Sequence, residues 1–331
     1  MSRPGDPVIT RRAFIGTAAG ALLARPLLAE AQLPKVARIG VLLFGTPDTD
    51  TAFSPIRGGL SALGYLDGRN IVFEHRYAQG RAERLPDLAA DLVRSKPDLI
   101  IAAGGDVTPF VKRATATIPI VMITSTDPVE AGLVSGLARP GGNITGVTFS
   151  SSDLAAKRLQ FLKEAAPTIA RVAVLWNPDH PDHEFRATQA AGRVLGVHVQ
   201  SLEVRSPEDF GDAFRLATRE RAEAVIVASS RMMTLNRARI VELTREHRVL
   251  LVSGWGPWAA AGALLSYGPD LDEIIRSSAT YVDRILRGAK PGDLPVQQPT
   301  KFELVINVKT AAAHGLTIPQ SLLVRADRVI Q

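Results

Sequence analysis

The chain has 331 residues, 46% of them hydrophobic and 22% charged, with a formal net charge of +6. These proportions exclude a disordered chain and allow two lobes of ordinary domain size. Cysteine is absent, which excludes disulfides, thiolate zinc sites, a cysteine nucleophile and a lipid-bearing cysteine behind a leader. The positive charge is spread without a Lys/Arg block or interleaved aromatics, so no nucleic-acid partner is expected.

The first 31 residues read as an address. Arg11-Arg12 precede Phe14, a modest apolar stretch runs over Thr17–Ala24, and Ala29-Glu30-Ala31 supplies small residues for cleavage. That is the order of a secretory signal, removed after Ala31 to leave Gln32 as the first residue of a periplasmic protein. The paired arginines indicate the twin-arginine route, with Sec export as its rival. The stretch is broken by Arg25-Pro26 and falls short of the roughly 18–20 apolar residues that span a bilayer.

The body alternates strand and helix. Val36–Phe44 is a near-continuous apolar run, as expected of a strand covered on both faces. Phe53, Ile56, Leu60 and Leu63 share a helical face, with Gly64 at its end. Strands follow at Ile71–Arg76, Asp98–Ala103 and Ile118–Ile123, with helices marked by Leu85, Leu88 and Leu92, by Thr108–Thr115, and by Val129–Leu137. After Ile144–Thr148 the cycle restarts. Helices are expected at Leu154–Ala166, His183–Leu195, Asp209–Glu220 and Leu235–His247, and strands at Arg171–Trp176, Val197–Val204, Ala224–Ala228 and Val249–Ser253. Leu271–Leu286 has the apolar spacing of one amphipathic helix, followed by a strand at Phe302–Val308 and a short helix at Thr310–His314. Two β-α series of similar size predict an α/β protein of two doubly wound parallel-sheet lobes, joined near Gly146–Ser150.

Ligands of open parallel sheets bind beyond the carboxyl ends of the strands. The loops there are Phe44–Asp48, Ala103–Asp106, Thr124–Pro128, Trp176–Asp179, Ala228–Arg231 and Gly254–Trp258. They supply Phe44, Gly104, Ser125, Thr126, Asp127, Asn177, Ser229 and Trp255 as candidate ligand-binding residues, to which Tyr267 is added. Asp127 before Pro128 has two readings, a helix N-cap or a carboxylate for a ligand ammonium. Ser125 and Thr126 could bond a ligand carboxylate, and Trp255 and Tyr267 could stack on an aromatic one. Tyr267 reads equally as a packed hinge residue, and Phe44 as core.

Catalytic signatures are missing. The sequence contains no G-x-S-x-G, H-E-x-x-H or Walker A motif. Gly254-Trp255-Gly256-Pro257-Trp258-Ala259 matches G-x-G-x-x-A formally, but Pro257 and two tryptophans crowd the approach that a pyrophosphate needs. His180 and His183 flank Pro181 and Asp182 in what reads as a solvated turn rather than a metal site. No catalytic residue, metal or cofactor is therefore expected.

One stretch is highly characteristic. Tyr281-Val282-Asp283-Arg284-Ile285-Leu286-Arg287-Gly288-Ala289-Lys290-Pro291 leads to Leu294-Pro295-Val296, then to Gln298–Asn307, Gly315–Pro319 and Arg325-Ala326-Asp327. With Arg139–Gly146, Val174–Pro178, Ser266-Tyr267-Gly268 and the twin-arginine leader, it resembles the ABC transporter substrate-binding proteins, periplasmic solute-binding proteins of the type I fold. The resemblance spans the chain. It implies two interleaved lobes, 32–147 with 268–299 and 148–267 with 300–331, connected by a hinge of three crossings. It also implies a receptor that closes on a small solute, an amino acid or aromatic carboxylate, and delivers it to an ABC permease in the inner membrane; because one chain supplies both jaws, a monomer is expected. Arg248–Trp255 lacks a proline usual near Leu250, and Ala263 stands where a glycine is usual. The alternatives are a ligand-sensing partner of a membrane receptor and a periplasmic enzyme on the same fold.

Overall fold

The computed structural model describes residues 36–149, 152–181 and 183–331. The expected leader, Met1–Ala31, lies outside them.

The first half of the chain builds β1 (Ala37–Leu43), α1 (Phe53–Ala62), β2 (Ile71–Tyr77), α2 (Leu85–Arg94), β3 (Leu99–Ala103), α3 (Thr108–Ala114), β4 (Ile120–Thr124) and β5 (Ile144–Thr148). The strands form one parallel sheet in the order β2-β1-β3-β4-β5. Every residue of β3, β4 and β5 is buried, which is why these strands are unbroken apolar or small-residue runs rather than alternating ones. Edge strand β2 is only partly covered and carries Phe73, His75 and Tyr77 on alternate positions.

The second half builds α4 (Ser152–Ala165), β6 (Arg171–Trp176), α5 (Glu184–Leu195), β7 (His198–Glu203), α6 (Phe210–Arg219), β8 (Ala224–Val227), α7 (Arg231–Leu235), α8 (Arg237–Glu246), β9 (Leu250–Ser253), α9 (Gly256–Ala261) and β10 (Leu265–Gly268). The chain then adds α10 (Leu271–Ser277), α11 (Ala279–Leu286), β11 (Glu303–Asn307), α12 (Val308–Ala313), α13 (Gln320–Leu323) and β12 (Arg328–Ile330). The second sheet runs β12-β11-β10-β9-β8-β6-β7, parallel except where β11 meets β10. The expected fold class, two parallel-sheet α/β lobes, is thus observed.

In each sheet the first strand lies between the second and the third. Right-handed crossovers then put α1 on one face of the first sheet and α2 and α3 on the other. Helices α10 and α11 pack on α1, although the strands before and after them belong to the second sheet. The polypeptide therefore passes between the sheets three times: after β5, after β10, and before β11. At the third passage Gln297 bridges to Val147 of β5.

Two helices differ from expectation. The segment Val129–Leu137 makes turns instead of a helix. Asp127 accepts the backbone N–H of Val129 (2.7 Å) and of Glu130 (3.0 Å), starting one turn. Gly132, at φ +63°, ends it, and the Pro128 carbonyl takes the N–H of both Leu133 and Val134. The expected helix Leu271–Leu286 is two helices meeting at Ser278, whose hydroxyl donates to the Ile275 carbonyl (2.6 Å).

Candidate functional site

The carboxyl ends of β1 and β3 face those of β6 and β8 across the gap between the sheets. These are the points where strand order reverses, the usual ligand position in such folds. A pocket of about 440 Å³ of open volume lies there. The first half supplies Ala52, Ala103–Gly105, Ile123, Ser125 and Phe149, and the second supplies Ser229–Arg231, Thr234 and Trp255, with Leu271 and Ile275 from α10. Apolar side chains make most of the wall, and the polar groups are hydroxyls and one guanidinium. Phe149 meets Trp255 edge to face, with ring centroids 5.3 Å apart at 86°.

Four of the nine candidates, Gly104, Ser125, Ser229 and Trp255, line this pocket. The other five lie elsewhere. Phe44 is buried in the core at the end of β1. The Thr126 hydroxyl bonds that of Thr124 at 2.7 Å. Asp127 caps the turn described above. The Asn177 side chain accepts the Asp179 N–H at 2.9 Å. The Tyr267 ring packs between Phe161 and Phe302.

The groups that cross the pocket are charged. Asp50, with a side chain wholly buried, accepts the N–H of Gly45 (2.9 Å) and of Ala52 (3.2 Å) within its own lobe. Its carboxylate also forms an ion pair with Arg231, which opens α7 on the opposite side. Asp106 accepts the Arg231 backbone N–H at 2.9 Å and lies 3.5 Å from Nε2 of His180. His180 in turn lies 3.4 Å from the Ser125 hydroxyl. The Arg231 Nε–H is buried and has no acceptor among the described residues. Burial and, secondarily, the Asp50 charge push the Tyr77 phenol above its ordinary pKa.

Backbone shape permits this approach. Gly104 has φ +131°, and a Cβ there would stand 2.7 Å from Cγ of Arg231. A Cβ at Gly105 would stand 2.6 Å from Nε2 of His180. Only a side-chain-free pair lets the two halves meet so closely.

Behind the wall a buried pair fixes the second half. Arg158 and Glu184, 0% and 2% exposed, pair at 3.1 Å. Arg158 also donates to the Tyr267 carbonyl (2.9 Å) and faces the Trp255 ring at 5.7 Å. Glu184 accepts both the N–H (3.0 Å) and the hydroxyl (2.7 Å) of Ser229. Two pocket residues, Ser229 and Trp255, are thereby positioned from beneath.

Asp50, Asp106 and Arg231 were not among the nine. The candidate loops Ala103–Asp106 and Ala228–Arg231 end on two of them, and Phe44–Asp48 stops two residues short of the third. Among the described residues, no group of three or more His, Cys, Asp or Glu is placed to hold a metal ion. No helix among them is long and apolar enough to cross a membrane.

A 270-residue stretch is 25% identical to the tyrosine-binding protein of Clostridioides difficile (strain R20291), covering 81% of this chain and 77% of that one. Among solved structures, the ABC domain of Streptococcus pneumoniae in complex with L-Trp is similar, with a TM-score of 0.82 and 26% identity over 89% of this chain and 99% of that one. A conserved domain protein of Vibrio cholerae is similar too, with a TM-score of 0.83 and 26% identity over 89% and 100%. The family model described as ABC transporter substrate binding protein matches residues 38–330. With the resemblance borne out over nearly all of the described residues, the chain belongs to the ABC transporter substrate binding protein family, whose members bind solutes rather than transform them.

Proposed function

We propose that the protein is the periplasmic receptor of an ABC-type importer, taking an aromatic amino acid or a related small carboxylate into the interlobe pocket. The observation that carries this reading is a pocket walled from both sheets, largely apolar but with Ser125, Ser229, Ser230, Thr234 and Arg231 at its surface. A mostly apolar wall with a few placed polar groups is what small-molecule sites use. Phe149 and Trp255 favour a flat apolar body, and the unmet Arg231 Nε–H favours an oxygen acceptor on the solute. The L-Trp complex and the tyrosine-binding relative support the same class.

In this reading residues 32–147 with 268–299, and 148–267 with 300–331, are the two jaws. The three passages between sheets are the hinge, and closure traps the solute. The closed jaws then dock on a permease in the inner membrane. One chain supplies both walls, which favours a monomer. Residues 1–31 act as a twin-arginine leader cleaved after Ala31.

The test is a thermal-shift screen of the purified protein against amino acids, aromatic acids, nucleosides and sugars. A ligand at 100 times its dissociation constant adds about 2.7 kcal/mol to stability. The expected hits are aromatic amino acids or aromatic acids. Hits confined to sugars or nucleosides would overturn the solute class.

A further inference from the structure

We propose that Arg231 is a clasp that holds the two jaws together before any solute arrives. Three observations carry it. First, Arg231 is held twice by the opposite lobe. Its guanidinium pairs with Asp50, and its backbone N–H donates to Asp106 at 2.9 Å. Second, the receiving carboxylate is set in advance. The Gly45 and Ala52 N–H groups that bond Asp50 belong to its own lobe, so they support its charge whether or not the jaws meet. A buried ion pair normally gains little because both partners must be desolvated. Here the first lobe already supplies part of what water would. Third, the seat is shaped for the occupant, since the Arg231 chain lies over Gly104 where any Cβ would intrude.

The clasp sits beyond the carboxyl ends of strands from both sheets, where the two lobes meet. Breaking it from the Arg231 side should open the jaws while leaving the bonds of Asp50 to Gly45 and Ala52 in place. Arg231 is in this sense a positioning residue. Through the clasp it sets how much of the closure a solute must supply, apart from any bond its Nε–H makes to the solute itself.

The absence of native cysteine makes the experiment clean. Spin labels are attached at Asp87→Cys on α2 and Val194→Cys on α5, both exposed and on opposite lobes. The protein is unfolded and refolded to strip any co-purified solute, and the label separation is measured by double electron–electron resonance. The solute-free protein should give a main population at the separation of this structure. Arg231→Met and Asp50→Asn should each move that population to longer distances, with circular dichroism showing both variants folded. A solute-free protein found only at the longer separation would overturn the clasp, as would an Arg231→Met distribution identical to the parent's. Because no solute is added, a blank in the thermal screen leaves this result standing, and a failed clasp leaves the solute class untouched.

Discussion

Gly104 shows how much of the site depends on one missing methyl group. Its φ of +131° is one that L side chains adopt at a cost, about 1–3 kcal/mol. A Cβ there would also press on Arg231 from 2.7 Å. Gly104→Ala should therefore do two separable things. It should lower the melting temperature modestly, and it should shrink the solute-induced melting shift by far more, because closure is obstructed. A titration of the variant beside the parent protein checks this; equal solute-induced shifts would count against the close approach. Ser125, Ser229 and Trp255 were readable from their loops because short polar and aromatic residues at strand ends are what a cleft uses. Asp50, Asp106 and Arg231 were not, because a charged residue at a loop end is indistinguishable in sequence from an ordinary solvated one. The meeting of the two lobes is what pairs Asp50 and Asp106 with Arg231.

At the level of elements, the Arg158–Glu184 pair joins α4 and α5 to the loop after β8 and to β10. Removing one member strands the other charge, which typically costs about 3–5 kcal/mol. Arg158→Met and Glu184→Gln should each move the urea midpoint down strongly. The double Arg158→Met/Glu184→Met variant should recover part of the loss, because no lone charge remains although the Ser229 donors lose their acceptor. Edge strand β2 gives a pH dependence. His75 packs edge-on against Phe53 at 4.8 Å and stacks on Tyr77 at 5.8 Å. Burial, the leading cause, lowers its pKa from the ordinary value of 6.5. The unfolded chain then binds a proton more readily than the folded one. Stability should be complete above pH 6.5 and fall as the pH drops from there toward the depressed folded value. His75→Phe should flatten that part of the pH–stability curve, while an unchanged slope would assign it to other groups.

Elements were legible in proportion to their burial. Strands β1, β3, β4, β6 and β8 are covered on both faces and read as apolar runs. The four-residue β10, the three-residue β12 and the four-residue α13 are too short to show a period. The Val129–Leu137 segment carried helical spacing, but Gly132 released the chain after one turn. That outcome lies in backbone angles, which hydrophobic spacing does not report.

Across the whole molecule, the order of assembly along the chain differs from the order in space. Helix α10 covers α1 so closely that a Cβ on Gly59 would stand 2.7 Å from the Arg276 carbonyl oxygen. Yet α10 begins more than 120 residues after β5 ends. During synthesis the sheet of β1–β5 must wait for its last covering helices while the strands and helices of a second sheet emerge. The Gly59 side of α1, buried in the finished protein, stays uncovered for that interval. Long-range closure of this kind slows folding and leaves apolar surface open to misassociation. The three passages between the sheets thus also delay the covering of α1 until α10 and α11 have emerged.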